Sequence, residues 1–219
     1  TIGRRQRQMC IRDRYWNDKT SKFLKKKYGE FDLIFSANTL SHIKNLNSVF
    51  KNIYNNLSEK GILIIEDPSL LDCLKKNSYD QFYNEHIYVF SCISLNEVLK
   101  KNNLEIFEVE NLKLHGGSIR YYIKKVNNRL KIANSFKKQI TKELQFGLKK
   151  VDTYKKFSKR VAQSKYKLKE IFINLKNNNK KVIGYGATAK STTVLNYCGI
   201  DREFIDYFLD TTPDKQNKY

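Results

Sequence analysis

No stretch of this 219-residue chain approaches about 18 uninterrupted apolar residues, so no segment is built to cross a membrane as a helix. Cysteine is sparse. Cys10, Cys73, Cys92 and Cys198 show no CxxC spacing, which excludes a self-contained zinc module or a small disulfide scaffold and makes a reduced, cytoplasmic setting the expectation. The three cysteines after Cys10 read as small buried residues. Internal repeats are absent. Wholesale disorder is excluded too, because 40% of residues are hydrophobic and 13% aromatic.

Arginine is scarce except in one place. Five of the nine arginines lie in residues 1–14, whereas lysine dominates the remainder. Arg4 to Asp13 (RRQRQMCIRD) is the in-frame translation of CGTCGGCAGCGTCAGATGTGTATAAGAGAC, a string that looks like a sequencing-library adaptor. Residues 1–14 are therefore expected to be an assembly scar outside the fold. Of the formal +20, residues 1–14 supply +4, and residues 124–181, with 17 lysines, two arginines and three acids, supply the other +16. The basicity thus belongs to one helical stretch, which reads as a solvated face, so no nucleic-acid partner is expected. Its few aromatics (Phe136, Phe146, Tyr154, Phe157, Tyr166, Phe172) fit helix packing better than base stacking.

Hydrophobic spacing gives the organisation. Residues 20–28 read as a short helix ended by Gly29, and 31–35 (FDLIF) as a short buried strand. Leu46, Val49, Phe50, Ile53 and Leu57 mark a helix packed on a sheet. Residues 61–65 (GILII) read as a strand covered on both faces. This strand–helix–strand order is a βαβ unit. A helix at 69–76, an aromatic segment at 79–90 and a helix at 94–102 capped by Ser94 follow. Strands at 104–110 and 118–126 flank a His-Gly-Gly turn. Residues 128–175 are expected to be helical, and 181–185 a strand feeding a helix through Tyr197, with a last strand at 205–209. The expected fold class is α/β: the C-terminal part of a class I Rossmann-like sheet at 15–127, a helical connector at 128–178, and the start of a second Rossmann-like domain, truncated, at 179–219.

Chemistry is expected at the carboxyl ends of the parallel strands. After FDLIF come Ser36, Ala37, Asn38 and, shortly beyond, His42, and after GILII come Glu66, Asp67 and Pro68. Tyr83, Glu85 and His86 (YNEH) group three titratable side chains, and a carboxylate beside imidazole suits proton abstraction next to a carbonyl. In His115-Gly116-Gly117-Ser118 paired glycines permit close backbone approach, and Ser118 and Arg120 are placed to meet a ligand. Gly184, Gly186 and Lys190 stand at a strand-to-helix turn suited to a pyrophosphate, with Asp210 at the next strand end facing a ribose hydroxyl. This turn lacks the full GxGxxG pattern, and no glycine immediately precedes Lys190 as in a Walker loop.

The order FDLIFSANTLSHI, GILIIEDP, YDQFYNEHIYVFS, LHGGSIRYYI, VIGYGATAKSTTVLNYCGI and DTTPDKQNKY resembles the S-adenosylmethionine-dependent sugar C-methyltransferases, over residues 15–219. YNEH followed by HGGS is the specific part; FDLI and GILII fit any class I methyltransferase. The resemblance implies methylation of a nucleotide-linked 4-keto-deoxysugar at the carbon next to the ketone, usually C3. It implies His86 as leading base, Glu85 and Tyr83 as tuning or sugar-holding groups, and His42 as a second histidine in the same pocket; the base stays open among His86, His42 and Tyr83. Ser36, Ala37 and Asn38 would line the cofactor side, and the groups from His115 to Asp210 the substrate side. The family's zinc cysteines and glycine-rich first cofactor loop are absent, so zinc is expected only in a missing N-terminal domain, no metal site in this chain, and little turnover from the chain alone. The rival expectations are a class I methyltransferase acting on a non-sugar ketone, and a non-enzymatic basic protein binding nucleic acid.

Overall fold

The computed structural model describes residues 15–215; the expected scar at 1–14 lies outside them. Helix α1 (Asp18–Tyr28) begins where the Asn17 side chain accepts from the Thr20 amide, and Lys25, Lys26 and Lys27 sit in its last turn, where cations favour the helix dipole. Strand β1 (Phe31–Ala37), helix α2 (Leu46–Asn56) and strand β2 (Leu57–Pro68) form the expected βαβ unit, β1 and β2 being parallel. Helix α3 (Leu70–Lys76) follows, then helix α4 (Cys92–Lys100) and the antiparallel strands β3 (Leu104–Leu112) and β4 (Ser118–Lys125). The sheet order is β1-β2-β4-β3.

One face of this sheet carries the core. Leu63 and Ile65 of β2, Ile119, Tyr121 and Ile123 of β4, and Leu104 and Ile106 of β3 pack with Phe50 of α2 and Leu95 and Leu99 of α4. Each fully buried aliphatic side chain of this kind contributes roughly 1.5–3 kcal/mol. The opposite face is different, and two expectations are corrected there. β1 is an edge strand rather than a buried one, with Leu33 and Phe35 each 58% exposed. β2 is fully covered on one face only, since Ile62 and Ile64 are half-buried. An uninterrupted apolar run specifies a strand, but the number of covering layers depends on elements elsewhere in the chain.

One further correction concerns a helix cap. Ser91, not Ser94, caps α4; Ser94 occupies the third helical position and completes a reciprocal capping box. Glu143 reinforces that end, its carboxylate accepting from the Cys92 and Ile93 amides at 2.9 and 3.0 Å. The stretch expected to be helical at 128–175 is two helices, α5 (Asn134–Phe146) and α6 (Val151–Asn177). They part at Gly147, whose φ of 85° is open to glycine at little cost. Leu148 of this break, with Phe146 and Phe157, packs on Leu71 and Leu74 of α3.

α6 carries the last unit. Its Leu168 and Phe172 pack with Cys198, Ile200 and Ile205. Strand β5 (Gly184–Tyr185), helix α7 (Ala189–Cys198) and strand β6 (Phe208–Leu209) form a parallel pair with a helical crossover, the strands being shorter than the sequence pattern suggests. Tyr79 joins this unit to the first, its hydroxyl 3.7 Å from Cys198 Sγ and its ring 5.5 Å from that of Tyr197. Cys73, Cys92 and Cys198 are buried free thiols, as expected. No described helix is long and apolar enough to cross a membrane.

Candidate active site

Two histidines far apart in sequence meet at the carboxyl end of the β1–β2 pair. Beyond β1 the chain makes a single 3-10 turn, Leu40–His42. The Ser41 carbonyl of that turn accepts from the Ile87 and Tyr88 amides at 2.9 and 3.2 Å, which ties the aromatic segment after α3 across it. The His42 and His86 rings consequently lie edge-on, centroids 4.9 Å apart.

The tautomer of His86 follows from its partners. Nδ1 is 2.8 Å from the Gln81 carbonyl oxygen, which only accepts, so Nδ1 carries the proton. Nε2 therefore presents its lone pair and accepts from the Tyr83 hydroxyl at 2.9 Å. Burial lowers the His86 pKa, with His42 and Lys190 acting in the same direction against the Gln81 carbonyl. Burial and the nearby Glu85 raise that of Tyr83, which stays a donor. Glu85 itself is exposed and acts on both through its charge. A neutral imidazole with an available Nε2 beside a phenolic donor has the form a general base needs.

Asp67, which the sequence places in the loop after GILII without giving it a role, is the major addition. It is fully buried, and burial pushes its pKa up to about 6, opposed by Ser41 and by the charge of His42. Neither carboxylate oxygen makes a hydrogen bond of ordinary geometry. The signal was present in GILIIEDP: Asp67 is in phase with Leu63 and Ile65 at the strand period of two.

Ser36 and Ala37 end β1 with small, half-buried side chains. Asn38 turns the chain in the left-handed region (φ 49°) and donates its amide to Glu66 O at 2.8 Å. Lys190 is near enough for its charge to act on His86. With Tyr79, Asp80, Gly184, Gly186 and Ser191 it lines a cavity of about 470 Å³ between the two units.

Other expected ligand groups are engaged in the fold. Arg120 pairs with Glu66 and Glu110, both at 2.9 Å, on the sheet face opposite Asp67. Gly117 has no room for a Cβ against Asp72, and Ser118, buried, donates to Leu114 O at 3.2 Å. The backbone of His115 lies in this turn; its side chain is outside the described residues. Asp210 accepts from the Ala187 and Thr212 amides, both at 2.8 Å, which holds its carboxyl well below the usual range, Thr212 contributing most. It braces the Gly186 turn. Gly184 is required by the Phe208 ring packed against it. Among the described residues no cluster of three or more His, Cys, Asp or Glu is placed to hold a metal ion.

Residues 4–109 match the family model of a methyltransferase domain, and residues 113–219 that of the C-methyltransferase C-terminal domain. The C-methyltransferase NovU of Streptomyces niveus is 27% identical over 192 residues, which are 88% of this chain and 46% of that protein. The chain thus spans about half the length of the curated relative it matches. Among solved structures, an S-adenosylmethionine-dependent methyltransferase from Clostridium acetobutylicum ATCC 824 gives a TM-score of 0.35 at 17% identity, over 44% of this chain and 58% of that one. Magnesium protoporphyrin IX methyltransferase (ChlM) from Synechocystis PCC 6803 gives 0.34 at 15%, over 44% and 45%. The two adjoining domain matches together account for nearly the whole sequence, so the chain joins a methyltransferase domain to a C-methyltransferase C-terminal domain.

Proposed function

We propose that the full protein transfers a methyl group to the carbon next to the ketone of a nucleotide-linked 4-keto-deoxysugar, with His86 as the base. The observation that carries this reading is the neutral His86 imidazole, its Nδ1 proton held by Gln81 and its Nε2 engaged by the Tyr83 hydroxyl. A C–H bond beside a ketone is acidic only as its electrons pass to the carbonyl oxygen. The base must therefore act together with a donor for that oxygen. Tyr83 is only half-buried. When the ketone enters, its hydroxyl leaves Nε2 for the carbonyl oxygen and frees Nε2 to take the proton. A well-placed donor of this kind supplies about 3 kcal/mol to the enolate-like transition state.

S-adenosylmethionine supplies the methyl carbon as an electrophile on sulfonium. Ser36, Ala37 and Asn38 fit one wall of its site: two small side chains at the end of a parallel strand pair leave room for a nucleoside-sized group. The exposed Asn38 amide both donates and accepts. Lys190, next to His86 in charge and lining the cavity between the units, serves the substrate's phosphates. The lysine-rich helices are a solvated face rather than a nucleic-acid site. The protein works in the cytoplasm, where nucleotide sugars are made.

Deuterium wash-in tests this. The full-length protein, given a nucleotide-linked 4-keto-deoxysugar in D2O without cofactor, should exchange the proton next to the ketone, and with S-adenosylmethionine should methylate that carbon. Exchange on a free ketone but not on the nucleotide sugar would overturn the substrate class; no exchange and no methylation on either would overturn the base.

A further inference from the structure

β2 ends by directing an acid into the apolar side of the sheet. Asp67 follows Leu63 and Ile65 at period two, and all three are fully buried. It lies opposite the outward Glu66–Arg120 pair. Both its oxygens, and Ser41 Oγ, are buried without a hydrogen bond of ordinary geometry. The strand that carries Asp67 near its end packs against the Leu40–His42 turn, and Ser41 and the charge of His42 both favour the charged form of Asp67. Ser41 and His42 belong to one turn, and the carbonyl of Ser41 holds the strand of chain that follows His86. Asp67 thus stands near the end of the strand packed against the turn that carries one histidine and anchors the segment carrying the other.

A buried carboxylate without full hydrogen bonding is unfavourable, and an apolar residue of similar size would fill the same space without that penalty. Packing alone gives no reason for an acid here. We infer that Asp67 is a positioning carboxylate, which holds the Ser41–His42 turn and so fixes His42 edge-on against His86. Its catalytic meaning rests on the methyl-transfer reading; its geometry does not. The charged and titratable groups acting with Asp67 are Glu66 on its own strand, His42 on the turn and Tyr121 on β4. Glu66 is engaged by Arg120, and burial keeps Tyr121 neutral. His42 is left as the group that answers the charge of Asp67.

The chain has three histidines, so NMR of the full 219-residue chain resolves their rings without any substrate. Wild type should show a cross-relaxation peak between the His42 and His86 rings, and a 13C-labelled Asp67 carboxyl titrating near pH 6. Asp67→Asn, which keeps the shape and an acceptor oxygen, should keep the ring peak; Asp67→Ala should lose it. His42→Gln should move the Asp67 midpoint upward, because a charge that favours the carboxylate is gone. An intact ring peak in folded Asp67→Ala, or an Asp67 midpoint unmoved in His42→Gln, overturns the proposal, and the second measurement decides if Asp67→Ala does not fold. Absence of the ring peak from wild type would also overturn the proposal, while the methyl-transfer reading, carried by the Gln81–His86–Tyr83 bonds, stands or falls on the deuterium exchange experiment.

Discussion

The Tyr83 hydroxyl donates to His86 Nε2 at 2.9 Å while His86 Nδ1 donates to the Gln81 carbonyl at 2.8 Å. One imidazole is thereby fixed in tautomer, orientation and charge by residues within five positions of it. His86→Asn, in the full-length protein, should lower methyl transfer by about 10²–10⁴-fold, the usual contribution of a general base, with cofactor affinity unchanged in a binding titration.

Tyr83→Phe removes the phenolic donor and leaves the ring. Turnover should fall by about 100-fold, as for loss of one donor to a developing oxyanion, with KM little altered in steady-state kinetics.

The pH profile has a definite sign. In the proposed reaction His86 acts as base when it is neutral, and burial lowers its pKa below the ordinary 6.5. The acid limb of kcat/KM should therefore fall below pH 6.5, and activity should be flat from there through neutrality.

Asp67 gives a stability prediction. Its folded pKa of about 6 lies above its ordinary value of 3.8, so the folded state holds the proton more tightly than the unfolded chain. The associated stability is fully present below pH 3.8, and is lost as pH rises through about 6. Asp67→Asn should accordingly raise stability at pH 7, by up to about 3 kcal/mol from the size of the shift, and do little at pH 4. Denaturant unfolding at the two pH values checks this.

Glu143 is fully buried and accepts from two amides at the start of α4 and from Gln139 Nε2. Glu143→Ala should cost about 2–4 kcal/mol, since it strands buried donors at a helix end; thermal unfolding measures it.

The lysine-rich helices should not bind duplex DNA at physiological salt. Fluorescence anisotropy with a labelled duplex should show no association at 0.15 M salt, where phosphate-driven contacts are already strongly weakened.

Sequence by itself determined most of the elements and the grouping of Tyr83 with His86. Spacing of apolar residues located α2, β2 and the β3–β4 hairpin because each pattern reports a local period, 3.6 for a helix or 2 for a strand. YNEH is local as well: Tyr83 and His86 are joined within one turn of chain. What lay beyond local pattern was decided by tertiary structure. The exposure of Leu33 and Phe35 depends on what covers an edge strand. The engagement of Arg120 by Glu66 and of Asp210 by the Gly186 turn depends on neighbours brought from elsewhere in the chain. So does the meeting of His42 with His86 near a buried Asp67, since Coulomb energy and desolvation follow distance in space rather than separation along the sequence.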